Sequence, residues 1–140
     1  MGDPRREVLD RKLAFLRQFV ADLGPYGALD AEARRREHYA VERLLQLLCE
    51  SAADIGLQVL KRNGAGLSGS YREVFSSLHR LGLLPAALAE RLIDACGMRN
   101  VLTHLYDTID LERVIAAIEP ALSLYREYLD WALKETAGWD

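Results

Sequence analysis

The stretch VERLLQLLCESAADIGLQVL, residues 41–60, carries a continuous helical pattern in a chain of 140 residues. Its apolar side chains recur every three or four positions, as they do on one face of an α-helix. They are Val41, Leu44, Leu45, Leu48, Ala52, Ile55 and Val59. The pattern extends from about Asp30 to about Arg62, and Asn63-Gly64 breaks it. A helix of this length predicts the spine of a helical bundle.

Two further helices flank this spine in the sequence. The first runs from about Asp3 to Leu23 and is ended by Gly24-Pro25. The third begins at Ser70, whose hydroxyl can accept a hydrogen bond from the Glu73 amide while the Glu73 carboxylate reaches back, as in a capping box. Gly82 closes this helix.

The last two helices complete the bundle. Pro85 fits the first turn of the fourth, because its missing N–H is not needed there. Asp107 or Asp110 can cap the fifth, which runs to about Leu133. Pro120 lies inside this fifth helix and is predicted to kink it.

The composition fits one all-α domain over residues 1–140, an up-and-down bundle of about five helices. Half of the residues are hydrophobic and 28% are charged, which is typical of a globular chain. Neither a membrane-spanning run nor a signal peptide is visible, so we expect a cytoplasmic protein without a membrane partner. The net charge of −3 argues against a generally basic surface for non-specific nucleic-acid binding.

Both cysteines, Cys49 and Cys96, stand in apolar helical stretches and are predicted to be buried, reduced thiols. Neither belongs to a CxxC pair, which argues against a structural zinc site. We expect no metal and no cofactor.

The segment MRNVLTHLYDTID, residues 98–110, places four polar side chains in an otherwise apolar helix: Arg99, Asn100, His104 and Tyr106. Arg99 and His104 are separated by about 140° of helical rotation, so a long arginine, or a helix that loosens after Thr103, can bring them to one site.

An imidazole exchanges protons near neutral pH, and a guanidinium holds a phosphate through two parallel hydrogen bonds. Together, His104 and Arg99 suit RNA cleavage by the RNA's own 2′-hydroxyl, without a metal. Asn100 can anchor the backbone or the imidazole, and Tyr106 can stack on a base. On spacing alone, a helix-terminal charge complement and cap, with Tyr106 at the edge of the core, is the favoured interpretation.

The order Arg-x4-His-x-Tyr over residues 99–106 resembles the signature of HEPN-domain proteins of the HepT type. The likeness continues in residues 107–110, and upstream in residues 70–75, 81–85 and 39–55. It covers about residues 8–133, nearly the whole chain.

The resemblance implies a homodimeric, HEPN-type helical toxin of a toxin–antitoxin pair that cleaves RNA without metal at a cleft between subunits. Carried onto this chain, it implies that Arg99 and His104 are catalytic and that Asn100 supports them. The family's antitoxin is a nucleotidyltransferase of the MntA type that transfers AMP to the motif tyrosine, here Tyr106. An added charged nucleotide would exclude RNA by repulsion and bulk.

Residues outside the motif have weaker signals. Asp54 either orients His104 or Arg99, or is simply solvated. The run Arg34-Arg35-Arg36 can follow an RNA backbone, but a solvated helix face is the favoured interpretation. His38 and His79 are predicted to be surface or partly packed side chains.

Two other functions remain as alternatives. One is a non-catalytic helical module that docks a nucleotidyltransferase or a nucleotide. The other is a purely structural helical dimer.

Overall fold

The computed structural model describes residues 4–66, 69–103 and 111–139, with side chains over 4–66, 69–97 and 111–139. These residues contain seven α-helices and a 3₁₀ helix, so the all-α prediction is confirmed. The helices are α1 Pro4–Leu23, α2 Ala31–Arg36, α3 His38–Arg62, α4 Tyr71–Arg80, α5 Ala86–Thr103, α6 Leu111–Ala116 and α7 Ile118–Thr136, with the 3₁₀ helix at Gly24–Ala28.

Four long helices, α1, α3, α5 and α7, form the bundle, and contacts at several levels fix their directions. Helix α7 runs parallel to α3: the Tyr128 hydroxyl donates to the Ala52 carbonyl at 2.7 Å, and one end of α3 meets Trp139. Helix α5 runs antiparallel to α7, because the Trp131 indole N–H donates to the Leu83 carbonyl at 2.9 Å while Arg91 pairs with Glu127. The three long helices α3, α5 and α7 therefore alternate in direction, whereas the predicted strict alternation of five helices would have made α3 and α7 antiparallel.

The number of helices differs from the predicted five, because two predicted helices are each divided. The segment from Asp30 to Arg62 is interrupted at Glu37, between α2 and α3. The Arg34 side chain fixes helix α2 to the 3₁₀ helix and to α6. Its guanidinium donates to the Gly27 carbonyl at 2.9 Å and to the Ile115 carbonyl at 3.2 Å. Helix α3 instead packs its own apolar face into the core, and α2 and α3 are therefore separate helices.

The predicted kink at Pro120 is a full break three residues earlier. Helix α6 ends at Ala116 and α7 begins at Ile118, with Pro120 in its first turn. A proline inside a helix cannot donate to the carbonyl four residues back, here that of Ala116, and its ring clashes with that carbonyl. Ala117 separates the two helices, and the Ala121 amide donates to its carbonyl at 2.9 Å to restart the ladder.

The predicted N-cap of α4 is present, whereas Asp107 and Asp110, the predicted caps of the fifth helix, lie outside the described residues. Ser70 Oγ accepts from the Glu73 amide at 3.2 Å, and the Glu73 carboxylate accepts from the Gly69 amide at 3.3 Å. The two together satisfy free N–H groups at the start of α4. Gly82 follows α4 with a φ of +76°, a conformation that glycine adopts without strain.

The core is centred on Tyr128 and Phe75, whose rings meet edge to face at a centroid distance of 5.9 Å. Gly56 brings α3 close to α4: a Cβ built at this position would lie 2.6 Å from Val74 Cγ1. Burial raises the pKa of Tyr128 well above its ordinary value. Its hydroxyl therefore stays protonated and donates to α3, which keeps the spine and α7 in register.

Candidate functional site

The backbone of α5 carries Arg99 and Asn100 in its last turns, so the helical prediction is confirmed as far as Thr103. The side chains of Arg99 and Asn100, and the whole of His104 and Tyr106, lie outside the described residues. The pairing of Arg99 with His104 and the position of Tyr106 therefore stay predictions.

Buried contacts fix α5 to its neighbours one turn before Arg99. Cys96 Sγ lies 3.4 Å from Cys49 Sγ of α3, and both cysteines are buried and not disulfide-bonded, which confirms their predicted burial. Tyr125 of α7 packs beside them, and its pKa is raised by burial and then by the neighbouring Cys49 and Cys96. The helix that carries Arg99 is thus packed into the apolar core one turn before that residue, and these buried contacts are called the base below.

A cavity of about 310 Å³ opens beside this base, between α3, α5 and α7. Apolar side chains such as Leu45 and Leu124 line it, with Arg91 and Asp94 at its polar edge. Ala95 also lines it and precedes Arg99 by four residues, about one helical turn. The backbone of Arg99, the predicted phosphate-binding residue, therefore lies one helical turn beyond this cavity.

The segment that follows the motif is held by Arg34, for which the favoured interpretation of a solvated helix face was wrong. Arg34 is only 9% exposed, and it pairs with Glu119 of α7 while its Nε donates to the Leu29 carbonyl at 3.0 Å. Because Arg34 also bonds the Ile115 carbonyl, α2 is tied to the α6–α7 junction. The pairing spans 85 residues, and nothing in the local pattern could have signalled it.

The other two arginines of the run behave as a surface. Arg35 pairs with Glu112 at 2.8 Å and Arg36 with Glu32 at 3.3 Å, all four side chains being exposed to solvent. Their prediction as a solvated helix face is confirmed.

Asp54 lies on α3, half exposed, with Oδ2 3.8 Å from Lys12 Nζ of α1. Since Cys49 and Cys96 lie at one level and α3 and α5 run in opposite directions, Asp54 and Arg99 are about 12 Å apart along the bundle at 1.5 Å per residue. The structure thus pairs Asp54 with α1, and its predicted role in orienting Arg99 or His104 stays a prediction.

The two histidines outside the motif behave as predicted, His38 being partly packed and His79 exposed at the surface. His38 Nδ1 lies 3.3 Å from Glu42 Oε2, and His79 Nδ1 lies 3.0 Å from the Leu84 carbonyl oxygen. Each ring is engaged in a local contact within its own segment.

Over the described ranges, His, Cys, Asp and Glu side chains form no group of three or more placed to hold a metal ion. In the same ranges, no helix combines the length and apolarity needed to span a membrane.

A groove of about 340 Å³ runs along α1 and α3. Its apolar wall includes Phe15, which is 59% exposed and stacks on Phe19 at a centroid distance of 6.1 Å. Lys12 and Asp54 also line the groove, so it carries charges of both signs.

Both the sequence and the fold of this chain match known proteins. The family model described as Ribonuclease HepT-like matches residues 9–131. The chain is 32% identical to a tRNA nuclease HepT of Aphanizomenon flos-aquae over 91% of its own length and 84% of that protein. It is 27% identical to an mRNA nuclease HepT of Shewanella oneidensis over 61% of its length and 65% of that protein.

Solved structures share the fold. A tri-AMPylated HEPN toxin of Shewanella oneidensis in complex with an MNT antitoxin superposes with a TM-score of 0.80 at 22% identity, covering 94% of this chain and 97% of that one. YutE of Bacillus subtilis, a cytosolic protein of unknown function, superposes with a TM-score of 0.70 at 21% identity, covering 95% and 93%.

The helical architecture is therefore that of the HEPN toxins. The chain belongs to the HepT-like ribonuclease family.

Proposed function

We propose that this protein is a metal-independent endoribonuclease toxin, neutralised by a nucleotidyltransferase antitoxin. The observation that carries the proposal is the Arg99-x4-His104 motif, in a chain that matches the family model over residues 9–131. The relatives named as tRNA and mRNA nucleases support RNA as the substrate.

In the proposed mechanism, His104 takes the proton of the RNA 2′-hydroxyl, and the resulting oxygen attacks the adjacent phosphorus. Arg99 holds the scissile phosphate and stabilises the charge that grows on it in the transition state. Asn100 supports the pair. The proton returns to the leaving 5′-oxygen, which yields a cyclic phosphate and a 5′-hydroxyl without a metal.

The active form is proposed to be a homodimer in which the Arg-x4-His motifs line a cleft between the subunits, and the α1–α3 groove is proposed to contribute to the subunit contact. A groove that bears both Lys12 and Asp54 can meet its own two-fold copy with opposite charges facing each other. The exposed Phe15, stacked on Phe19, would supply apolar area that a monomer leaves in water. Asp54 remains the proposed supporting residue and would lie at this contact.

Neutralisation is proposed to act at Tyr106, through AMP transferred from ATP by an MntA-like partner. The solved complex of an AMPylated HEPN toxin with an MNT antitoxin supports this assignment. The AMP group brings a negative charge and bulk close to the phosphate-binding Arg99, so RNA is excluded. We infer a cytoplasmic location, where RNA and ATP are both present.

Cleavage of RNA in EDTA tests the proposal. The wild type should cut RNA, and His104→Ala and Arg99→Ala should each lose activity by a factor of at least about 100, the scale of a general base or a charge-stabilising group. His38→Ala and Arg43→Ala, which change the same residue types outside the motif, should cut normally.

The alternative function, a helical module that docks a nucleotidyltransferase or nucleotide without catalysis, predicts a different result. Equal cleavage by all five proteins would mean that the motif is not the catalytic site, and no cleavage by the wild type would favour the docking module.

A further inference from the structure

Four cationic side chains gather at one end of the bundle. Arg5 and Arg6 come from the start of α1, and Lys61 and Arg62 come from the end of α3. Together with Trp139 and Gln58 they line a small cavity of about 70 Å³. This set of six residues is called the basic end below. It holds four of the chain's 18 Lys and Arg residues, in a protein whose net charge is −3.

The basic end has a defined geometry. The Arg62 guanidinium lies over the Trp139 ring, 5.2 Å from its centroid. Arg6 is held by Asp10 at 3.0 Å and donates to the Thr136 carbonyl. Lys61 and Arg62 are both exposed to solvent at the end of α3. Asp10 compensates the charge of Arg6, so the exposed Lys61 and Arg62 are the cations that chiefly attract an anion to the basic end.

The basic end lies far from the motif. From the level where Cys49 meets Cys96, α3 runs about 20 Å to Arg62 at 1.5 Å per residue. Helix α5 runs antiparallel to it and reaches Arg99 about 5 Å in the opposite direction. The two places are therefore about 25 Å apart along the bundle, too far for one nucleotide to touch both.

We propose that the basic end is a second RNA contact, which binds the phosphodiester backbone of the substrate several nucleotides away from the cleavage site. Cations attract phosphates, and the partly buried Trp139 ring beside them can stack a base with its remaining exposed surface, which is the combination found in sites for single-stranded RNA. This inference rests on the proposed function, because RNA must be the substrate for a second RNA contact to matter.

The consequence is a dependence on RNA length. A long RNA bound at the motif can reach the basic end, but a trinucleotide cannot. Loss of the basic end should therefore weaken the binding of long RNA and leave that of short RNA unchanged.

The test measures binding rather than cleavage. Full-length His104→Ala protein is titrated with fluorescent oligouridylate, long or trinucleotide, at several KCl concentrations. Adding Lys61→Glu should weaken long-RNA binding about tenfold and lower the salt-dependence slope by about 0.7 for each phosphate that the protein no longer neutralises. Trp139→Ala should also weaken it about tenfold, by loss of stacking, and Trp139→Phe should restore most of it. Lys61→Gln, which removes the charge without reversing it, should give a smaller loss.

Arg126→Glu is the matched control, because it makes the same charge change at an exposed position on α7. If Lys61→Glu and Arg126→Glu bind long RNA equally, with equal salt slopes, the inference is wrong. It is also wrong if Lys61→Glu weakens binding of the nucleotidyltransferase partner while leaving RNA binding intact.

The two proposals fail separately. If the wild type cleaves RNA and Lys61→Glu leaves RNA binding unaltered, the proposed second RNA contact is wrong and the proposed nuclease function stands. If the wild type does not cleave RNA but Lys61→Glu weakens the binding of long RNA, the proposed nuclease function is wrong and the proposed RNA contact stands.

Discussion

Arg34 of α2 and Glu119 of α7 form a forked ion pair across 85 residues, with Nη1 3.0 Å from Oε2. The same guanidinium bonds the carbonyl oxygens of Gly27, Leu29 and Ile115. This one side chain joins the 3₁₀ helix and α2 to the α6–α7 junction. It thereby anchors the chain directly after the motif segment.

Replacing Arg34 should therefore destabilise the fold. Arg34→Met should lower the free energy of unfolding by about 2 kcal/mol, because several polar groups lose a charged partner at once. Arg34→Lys should recover less than half of that, since one ammonium group cannot replace a planar fork. Urea unfolding measures the effect. Arg36→Met, which breaks an exposed pair, should cost less than about 0.5 kcal/mol, and an equal loss in both variants would contradict the role of Arg34.

The same pair predicts how stability depends on pH. The Arg34 hydrogen bonds, opposed by partial desolvation, lower the pKa of Glu119 below its ordinary value. A carboxyl group whose pKa is lower in the folded state stabilises the fold at neutral pH. That contribution is lost as the pH falls through its folded pKa, so the loss should begin below about pH 5.

Urea unfolding of the wild type and Glu119→Gln at a series of pH values checks this expectation. The variant should be less stable at pH 7, and the two curves should converge as the pH falls. If the free energies of unfolding of the two proteins stay parallel down to about pH 3, below the ordinary pKa of a glutamate, the pairing of Glu119 with Arg34 does not stabilise the fold.

Replacing glycine by alanine should change the stability of the fold in opposite directions at two helical positions. Gly56→Ala forces a Cβ against Val74, 2.6 Å away, and should cost about 1–3 kcal/mol. Gly97, in α5, has open space around its Cβ position, so Gly97→Ala should add about 0.5–1 kcal/mol by favouring the helix. Thermal unfolding of both variants provides the measurement, and stabilisation by Gly56→Ala would refute the close approach of α3 to α4.

The proposed dimer contact predicts a change of oligomeric state. Phe15→Glu should shift the protein from dimer to monomer in sedimentation velocity, because it places a charge in the apolar part of the α1–α3 groove. Ala14→Glu, an exposed neighbour on α1, is the matched control and should remain dimeric. A dimeric Phe15→Glu protein would place the subunit contact elsewhere.

The modification site predicts a clean difference between two tyrosines. Incubation with the nucleotidyltransferase partner and ATP should add AMP to the wild type and to Tyr39→Phe, but not to Tyr106→Phe, as measured by intact mass. Tyr39 is the suitable control because it is 75% exposed and hence accessible to a modifying enzyme. Undiminished labelling of Tyr106→Phe would exclude it as the target.

The sequence by itself determined the all-α class, the caps at Ser70 and Gly82, and the burial of Cys49 and Cys96. These properties depend on local spacing and on the chemistry of single residues, which a sequence displays directly. It also determined the motif Arg99-x4-His104-x-Tyr106, whose meaning comes from the family resemblance.

Only the tertiary structure decided that the second predicted helix divides at Glu37 and what Arg34 does. Both depend on contacts between segments distant in the chain, because Arg34 ties α2 to Ile115 and Glu119. The basic end has the same origin, because Arg5, Lys61 and Trp139 meet only once α1, α3 and α7 are packed side by side. Local periodicity carries no information about such meetings, since they are set by how the apolar faces of the helices pack together.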